Sequence, residues 1–384
     1  MGGIYSKKRN RKIWMFIIKG FSVVLGLALF SSVLVLSNPT AEKLGFLSAV
    51  LSMPGSSGIM AQNDYKKVID FDIENMMSIV ENSFPADTIF DEKEPEDISS
   101  TPSDIVELMN KAQANISNTK KGGTILEQKY TSGSPYTGYK DLWVMNTTGK
   151  TLDLSSLYTA KPTLSVRTDK PSVLIYHTHT SESYVTLDVG WYPSSYASRS
   201  SDCGQNMVRV GEAIVAELEK AGFNVIHDKT IYDTSYNGAY QRSRAQTELY
   251  LELYPSIAIT LDVHRDALTT NNEQTIIKPV VEVNGKKAAQ IMLIAGREGN
   301  TITSFPNWEN NLKFAVQIQN KMNELYPDVM RPLFHCYRMY NMDLTPNSLL
   351  VEVGTHGNTL EEAVYSGTLF GRALSEMLKE YVAT

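Results

Sequence analysis

Cysteine is nearly missing: Cys203 and Cys336 are the only two in 384 residues, and they form no Cys-x-x-Cys pair. That scarcity excludes a disulfide-stapled scaffold, and neither cysteine is expected to be catalytic or a ligand. Positive charge is short as well. A formal net charge of −6 argues against general nucleic-acid binding. No internal repeat is visible. The composition is otherwise ordinary, 42% hydrophobic and 20% charged, enough to bury a sizeable core. At about 100–200 residues per domain, the length suggests two units or one large unit with appendages.

The charge is unevenly placed. Lys7, Lys8, Arg9, Arg11, Lys12 and Lys19 crowd the start, and residues 20–37 then run without a charge. The expectation is a basic cytoplasmic amino terminus at 1–12 and a transmembrane helix at 13–37, with Lys19 reaching back to the headgroups. The positive-inside rule then exports the remainder. A cleaved signal peptide fits less well: its apolar region is usually about 7–15 residues, and no small-x-small cleavage site follows. Residues 44–53 are apolar enough for a short packed or membrane-adjacent helix, ended by Pro54-Gly55-Ser56-Ser57-Gly58. The stretch 83–135 is polar, acidic and punctuated, as in Asp91-Glu92-Lys93-Glu94-Pro95-Glu96-Asp97. Such composition does not offset ordering entropy. Residues 38–157 therefore read as an extracytoplasmic linker or stalk, partly disordered, with 103–114 as a transient amphipathic helix or a partner contact.

Residues 158–384 read as an α/β catalytic domain. Strands are expected at 172–176, 224–228, 256–263 and 348–353, and helices at 207–221, 238–254, 308–325 and 360–382. A hairpin joins 279–283 to 289–295 through Asn284-Gly285, a dipeptide that tolerates the positive φ values of a tight turn. Alternation of this kind implies a mostly parallel central sheet flanked by helices.

Polar chemistry gathers where three of these strands end, the edge on which open α/β sheets bind ligands. Val173-Leu174-Ile175-Tyr176 runs straight into His177-Thr178-His179-Thr180-Ser181-Glu182. The His179-x-x-Glu182 spacing lets one loop offer an imidazole and a carboxylate to a single zinc. A third ligand is expected from His264, at the end of Ile257-Ala258-Ile259-Thr260-Leu261-Asp262-Val263. Glu352, set in Leu349-Leu350-Val351-Glu352-Val353, is the candidate general base. It would take a proton from water and pass it to a departing amine, unless it is only an arginine's ion-pair partner. His177 is assigned to the surroundings of the metal or to substrate. His356 would stabilise an oxyanion or sit in a solvated loop. Arg265 and Arg244 would bind anionic groups or pair with Asp262 or Asp266. His227 and His335 are read as structural.

The set is recognisable at this point. His177-Thr178-His179-Thr180-Ser181-Glu182-Ser183-Tyr184, Asp262-Val263-His264-Arg265-Asp266 and Val351-Glu352-Val353-Gly354-Thr355-His356-Gly357-Asn358 resemble stage II sporulation protein P of endospore-forming bacteria. Asn206-Met207-Val208-Arg209-Val210-Gly211 and Gly238-Ala239-Tyr240-Gln241-Arg242-Ser243 look like that family too. The resemblance implies a zinc-dependent N-acetylmuramoyl-L-alanine amidase that also cuts stem-peptide cross-links in peptidoglycan. It implies a place between the mother-cell and forespore membranes during engulfment, beside sporulation proteins D and M. The wider amidase superfamily places a zinc histidine on His179 and takes its next ligand from a glutamate opening the following helix. Here that neighbourhood holds Cys203, Gly204, Gln205 and Asn206. Either Glu182 stands in, as the His-x-x-Glu of zinc carboxypeptidases suggests, or the site holds metal more weakly. Two other readings stay beside the hydrolase. One is an amidase-like domain without turnover that binds partners or glycan. The other is a carboxypeptidase with an arginine clamp from Arg244, Arg265 or Arg297.

Overall fold

The computed structural model describes residues 100–270 and 274–383. The expected basic terminus, the membrane helix and the helix at 44–53 lie outside them. Among the described residues no helix is long and apolar enough to cross a membrane.

The described residues begin with α1 (Ser103–Ala114), then β1 (Lys121–Gln128), β2 (Thr137–Tyr139), β3 (Leu142–Asn146) and α2 (Leu154–Thr159). The α/β core follows with β4 (Val173–Tyr176), β5 (Trp191–Pro193), α3 (Met207–Lys220), β6 (Val225–His227), α4 (Ala239–Leu253) and β7 (Ile259–Asp266). It closes with β8 (Thr275–Val283), β9 (Lys286–Ala289), β10 (Ile291–Gly296), α5 (Trp308–Leu325), β11 (Leu333–Cys336), β12 (Ser348–Thr355) and α6 (Leu360–Leu378). The main sheet is 8-stranded, ordered β2-β3-β11-β10-β12-β7-β4-β6. Among the described residues its neighbours pair in parallel except β2 with β3 and β10 with β12. This is the mixed, mostly parallel α/β architecture that the strand and helix alternation implies.

Side-chain parity decides what each face carries, because successive strand residues point to opposite sides. Val173 and Ile175, Ile259, Leu261 and Val263, Leu293 and Ala295, and Leu349, Val351 and Val353 all join the large apolar cluster with the buried faces of α3, α5 and α6. Gly367 and Gly371 let α6 lie tight on α3, since a Cβ there would come within 2.9 Å of the Val210 oxygen and 2.7 Å of the Ile214 oxygen. The helix entries are secured locally. Asn206 accepts from the Val208 N–H, and Thr359 with Glu362 forms a capping box. The opposite face holds Leu174 and Tyr176 in a smaller cluster with Tyr250 of α4. On β7, the residues alternating with the apolar set are Thr260, Asp262 and His264.

Three expectations need correction. The stretch 121–146, read as linker, supplies strands to both sheets. β3 pairs with β11, and β1 pairs with β8 in a 4-stranded sheet ordered β5-β1-β8-β9. Only Ile125 of β1 is buried, so its strand character comes from pairing and leaves little apolar trace in sequence. The helix at 103–114 is seated on the body through Ile105, which is 1% exposed, and through an ion pair of Asp104 with Arg209 at 2.8 Å. The expected hairpin turns at Asn284-Gly285, whose φ values are 52° and 76°. Its second arm, however, divides at Gln290 between the two sheets, with β9 in one and β10 in the other.

Candidate active site

The strand expected at 256–263 runs to Asp266, so His264 lies inside β7, flanked by β4 and β12. Pairing with β12 continues beyond the last β4 partner, Tyr176 opposite Asp262, and carries the strand through His264 to Asp266. The register sets Tyr176 of β4 beside Asp262, and Glu352 of β12 beside His264. All three strands run in parallel, so His179 just past β4, His264 on β7 and Glu352 on β12 lie along one edge of the sheet. A register shift follows Glu352, where Gly354 takes φ +62°. This bulge is what a strand uses to re-aim a side chain, and a Cβ at Gly354 would come within 2.5 Å of Asn358 Oδ1.

The loop after β4 is buried and braced. Asp262 accepts from the Thr178 N–H at 2.8 Å and from its hydroxyl at 2.6 Å. Asp233 accepts from the Ser181 N–H at 3.0 Å and its hydroxyl at 2.6 Å, and also pairs with Arg199. The His179 and His264 rings meet edge to face, 5.4 Å between centroids. Glu182 Oε2 lies 3.6 Å from His264 Nδ1 and accepts from the Arg265 N–H at 3.3 Å. On the far side of that ring, His264 Nε2 is 2.8 Å from Asp262 Oδ1, near enough for an ion pair but out of line for a hydrogen bond. Tyr240 lies nearly parallel to His264 and carries Tyr340 stacked on it at 5.3 Å.

The charges follow from these neighbours. Burial pushes the Glu182 carboxyl up, but His264 and Arg265 outweigh it and hold it at about 2. Burial opposes charge on His264, yet Asp262 and Glu182 prevail and raise it well above the usual imidazole value. His179 is lowered by burial and by His264. Glu352 goes the other way. Burial, then the charge of Asp266, lifts its carboxyl to about 8. Part of the residue stays open to solvent, but Oε2 is sealed and has no hydrogen-bond partner.

The donor chemistry suits a zinc ion. His179 Nδ1 and His264 Nε2 are buried ring nitrogens without a hydrogen bond, and an ionised carboxylate, Glu182, stands on the Nδ1 side of His264. As the side chains stand, however, no group of three or more His, Cys, Asp or Glu among the described residues converges to hold a metal.

The other candidates are placed as follows. His177 donates from Nδ1 to the Val263 oxygen at 2.8 Å, which leaves its Nε2 to accept from His227 Nε2 at 2.9 Å. Burial keeps both rings neutral, at about 4 and about 2. His177 thus ties β4 to the residue before His264. His356 lies beyond the bulge with Nδ1 unpartnered, and burial, then Arg265, lowers it to about 4. Arg265 reaches the Ser183 and Ser198 oxygens at 3.1 and 2.8 Å as a strut. Arg244 is engaged by Asp343 and Glu248. Arg297 lies 4.2 Å over Trp308, and His335 is bound to the Ala295 oxygen at 2.9 Å.

Reading the sequence alone misses Asp262 as the group between His264 and Thr178, although the two-residue spacing on one strand is a signal for a shared face. Asp233, Arg199 and Tyr340 carry no such signal, because loops bring them in, whereas Tyr240 comes from the first turn of α4.

The family model for stage II sporulation protein P matches residues 57–375. Stage II sporulation protein P of Bacillus subtilis (strain 168) is 28% identical over 221 residues, an alignment covering 54% of this chain. The chain spans about half the length of that relative, 51%. Similar solved structures include the CwlD amidase of Clostridioides difficile in complex with the GerS lipoprotein. It has TM-score 0.36 and 10% identity, with 54% of this chain and 99% of that one covered. The N-acetylmuramoyl-L-alanine amidase AmiC2 of Nostoc punctiforme has TM-score 0.34 and 10% identity, with 55% and 96% covered. A metallo-carboxypeptidase from Burkholderia cenocepacia has TM-score 0.31 and 10% identity, with 55% and 58% covered.

Proposed function

The chain belongs to the stage II sporulation protein P family, and from that membership together with the site we infer that it is a peptidoglycan hydrolase. Its reaction is hydrolysis of the amide between N-acetylmuramic acid and the L-alanine of the stem peptide, with cleavage of stem-peptide cross-links as a second activity. One observation carries the reading. Three parallel strands bring His179, His264 and Glu352 to one edge, where buried nitrogen and oxygen atoms stand without hydrogen-bond partners. Buried polar atoms are normally paired, and exceptions call for a functional explanation.

His179, Glu182 and His264 would hold a zinc ion, with Arg265 and Asp262 orienting the carboxylate and the second imidazole. A zinc ion held by these residues would supply Lewis-acid polarisation of the amide carbonyl and a water of lowered pKa. Glu352 works as base and then acid. It accepts a proton from the attacking water as the oxygen bonds to the carbonyl carbon. It returns the proton to the nitrogen as the carbon–nitrogen bond breaks, leaving a carboxylate on the muramic side and a free amine on the peptide. A carboxyl poised near neutrality suits both roles. The amino-terminal residues 13–37 would anchor the protein to a membrane with the hydrolase outside the cytoplasm, in the space between mother cell and forespore. Sporulation proteins D and M would be its partners.

The test is metal analysis of the full-length chain together with mass spectrometry of digested sacculi. The expected outcome is about one zinc per chain and stem peptides released with free L-alanine amino termini. His264→Ala should lose both. A folded His264→Ala variant that still releases peptides would overturn the assignment.

A further inference from the structure

Tyr236 is 65% exposed, yet its ring lies parallel to that of His179, 4.7 Å between centroids and 3° between planes. The loop around it is built to keep it there. Arg242 gathers the carbonyls of Tyr232 at 2.6 Å, of Asn237 at 3.3 Å, and of Ser235. Asp233 is held from the Ser181 side, and Gly238 turns into α4 at φ +84°, a conformation that suits glycine. The Arg199 guanidinium carbon also lies over the ring, 5.3 Å from its centre, yet most of the residue is still in water. An aromatic held rigid, solvated and against a site histidine is presented to something.

The sheet order says to what. Across the carboxyl edge the strands run β12, β7, β4, β6, about 4.8 Å apart. Glu352 is therefore at one side, His264 beside it, then His179, then the loop that follows β6 and carries Tyr236. Glu352 delivers its proton to the departing amine, so the stem peptide lies on the Glu352 side. The acyl half of the amide, a lactyl ether on a sugar, must extend the other way, past His179 to Tyr236. A pyranose offers a face of C–H bonds that packs on an aromatic ring. We propose that Tyr236 is a platform for a pyranose of the glycan strand and sets preference for sugar-bearing substrates. This rests on the amidase reading above.

The test compares two substrates of the full-length chain: a disaccharide stem peptide, and the same peptide acylated by lactate alone. Tyr236→Ala should lower the ratio of their kcat/KM values about tenfold, mainly through KM on the sugar-bearing substrate, as expected for loss of one ring-stacking contact. Tyr236→Trp should keep the ratio. Titration calorimetry with a peptide-free tetrasaccharide of N-acetylglucosamine and N-acetylmuramic acid should show binding about tenfold weaker in Tyr236→Ala. An equal fall on both substrates would mean that the ring only steadies His179, and an unchanged ratio with unchanged sugar binding would equally overturn the proposal. If the unsubstituted chain cleaves neither substrate, the amidase reading fails, and the sugar titration still decides the role of Tyr236.

Discussion

Replacing Glu352 by glutamine should cost activity while stabilising the fold above neutral pH. Burial lifts this carboxyl from 4.5 to about 8, with Asp266 adding to the rise and His264 opposing it. A group whose folded pKa lies above its unfolded value contributes fully below the unfolded value, and that contribution is lost as pH climbs to the folded one. The window is thus pH 4.5 to about 8, and at about 1.36 kcal/mol per unit the loss across it is at most about 5 kcal/mol. Glutamine has nearly the same shape and no charge to bury, so the variant avoids the loss. Urea unfolding with a chelator present, at about pH 5 and about pH 8.5, reads the difference directly. The two proteins should unfold alike at the lower pH, and the variant should need more urea at the higher. Release of stem peptides from sacculi should fall about 10²–10⁴-fold. Identical pH dependence in the two proteins would show that the carboxyl is solvated, and full activity in the variant would remove its role as base; either result refutes the argument.

Asp262→Asn removes the charge beside His264 and one of the acceptors of Thr178, and should weaken zinc binding about 10–100-fold in competition with a chelating dye; unchanged affinity would mean that Asp262 only braces the loop. Lys278 is 1% exposed, with Asp188, Glu362 and Glu127 at 2.7, 2.8 and 2.9 Å from Nζ. Burial opposes its charge, yet the carboxylates raise it, whereas burial raises Glu362 despite the lysine. The attraction little more than offsets desolvation, and the cost lies in breaking it. Lys278→Met should lose about 3–5 kcal/mol in urea unfolding, most of it regained on adding Glu362→Gln. In Gly211→Ala the new Cβ would stand 2.5 Å from His227 Nε2 and 2.6 Å from His177 Nε2. Shifting α3 or opening the histidine pair should cost about 1–3 kcal/mol, visible as a lowered Tm.

Much of the architecture was legible before any coordinates. The helix expected at 308–325 has those bounds in the structure, and the strand expected at 172–176 starts one residue late, because apolar period and length are local properties. The polar residues at the ends of apolar strands also pointed to a common edge. The strands at 121–146 were hidden for the opposite reason. β1 buries one side chain and is a strand because β8 and β5 supply its hydrogen bonds. A linker composition and a paired strand look alike when the partner lies far along the chain.

By itself the amino-acid order singled out the candidate site residues, the imidazoles and carboxylates at His179, Glu182, His264 and Glu352, and the alternation of strands and helices that buries the apolar remainder. Folding in three dimensions decided how these groups stand toward one another: that Asp262 reaches both Thr178 and His264, that the bulge at Gly354 follows Glu352, and that Tyr236 lies against His179. Each of those depends on strand register and loop closure between residues far apart in sequence. Long-range pairing is a property of the whole packed chain, and no local pattern encodes it.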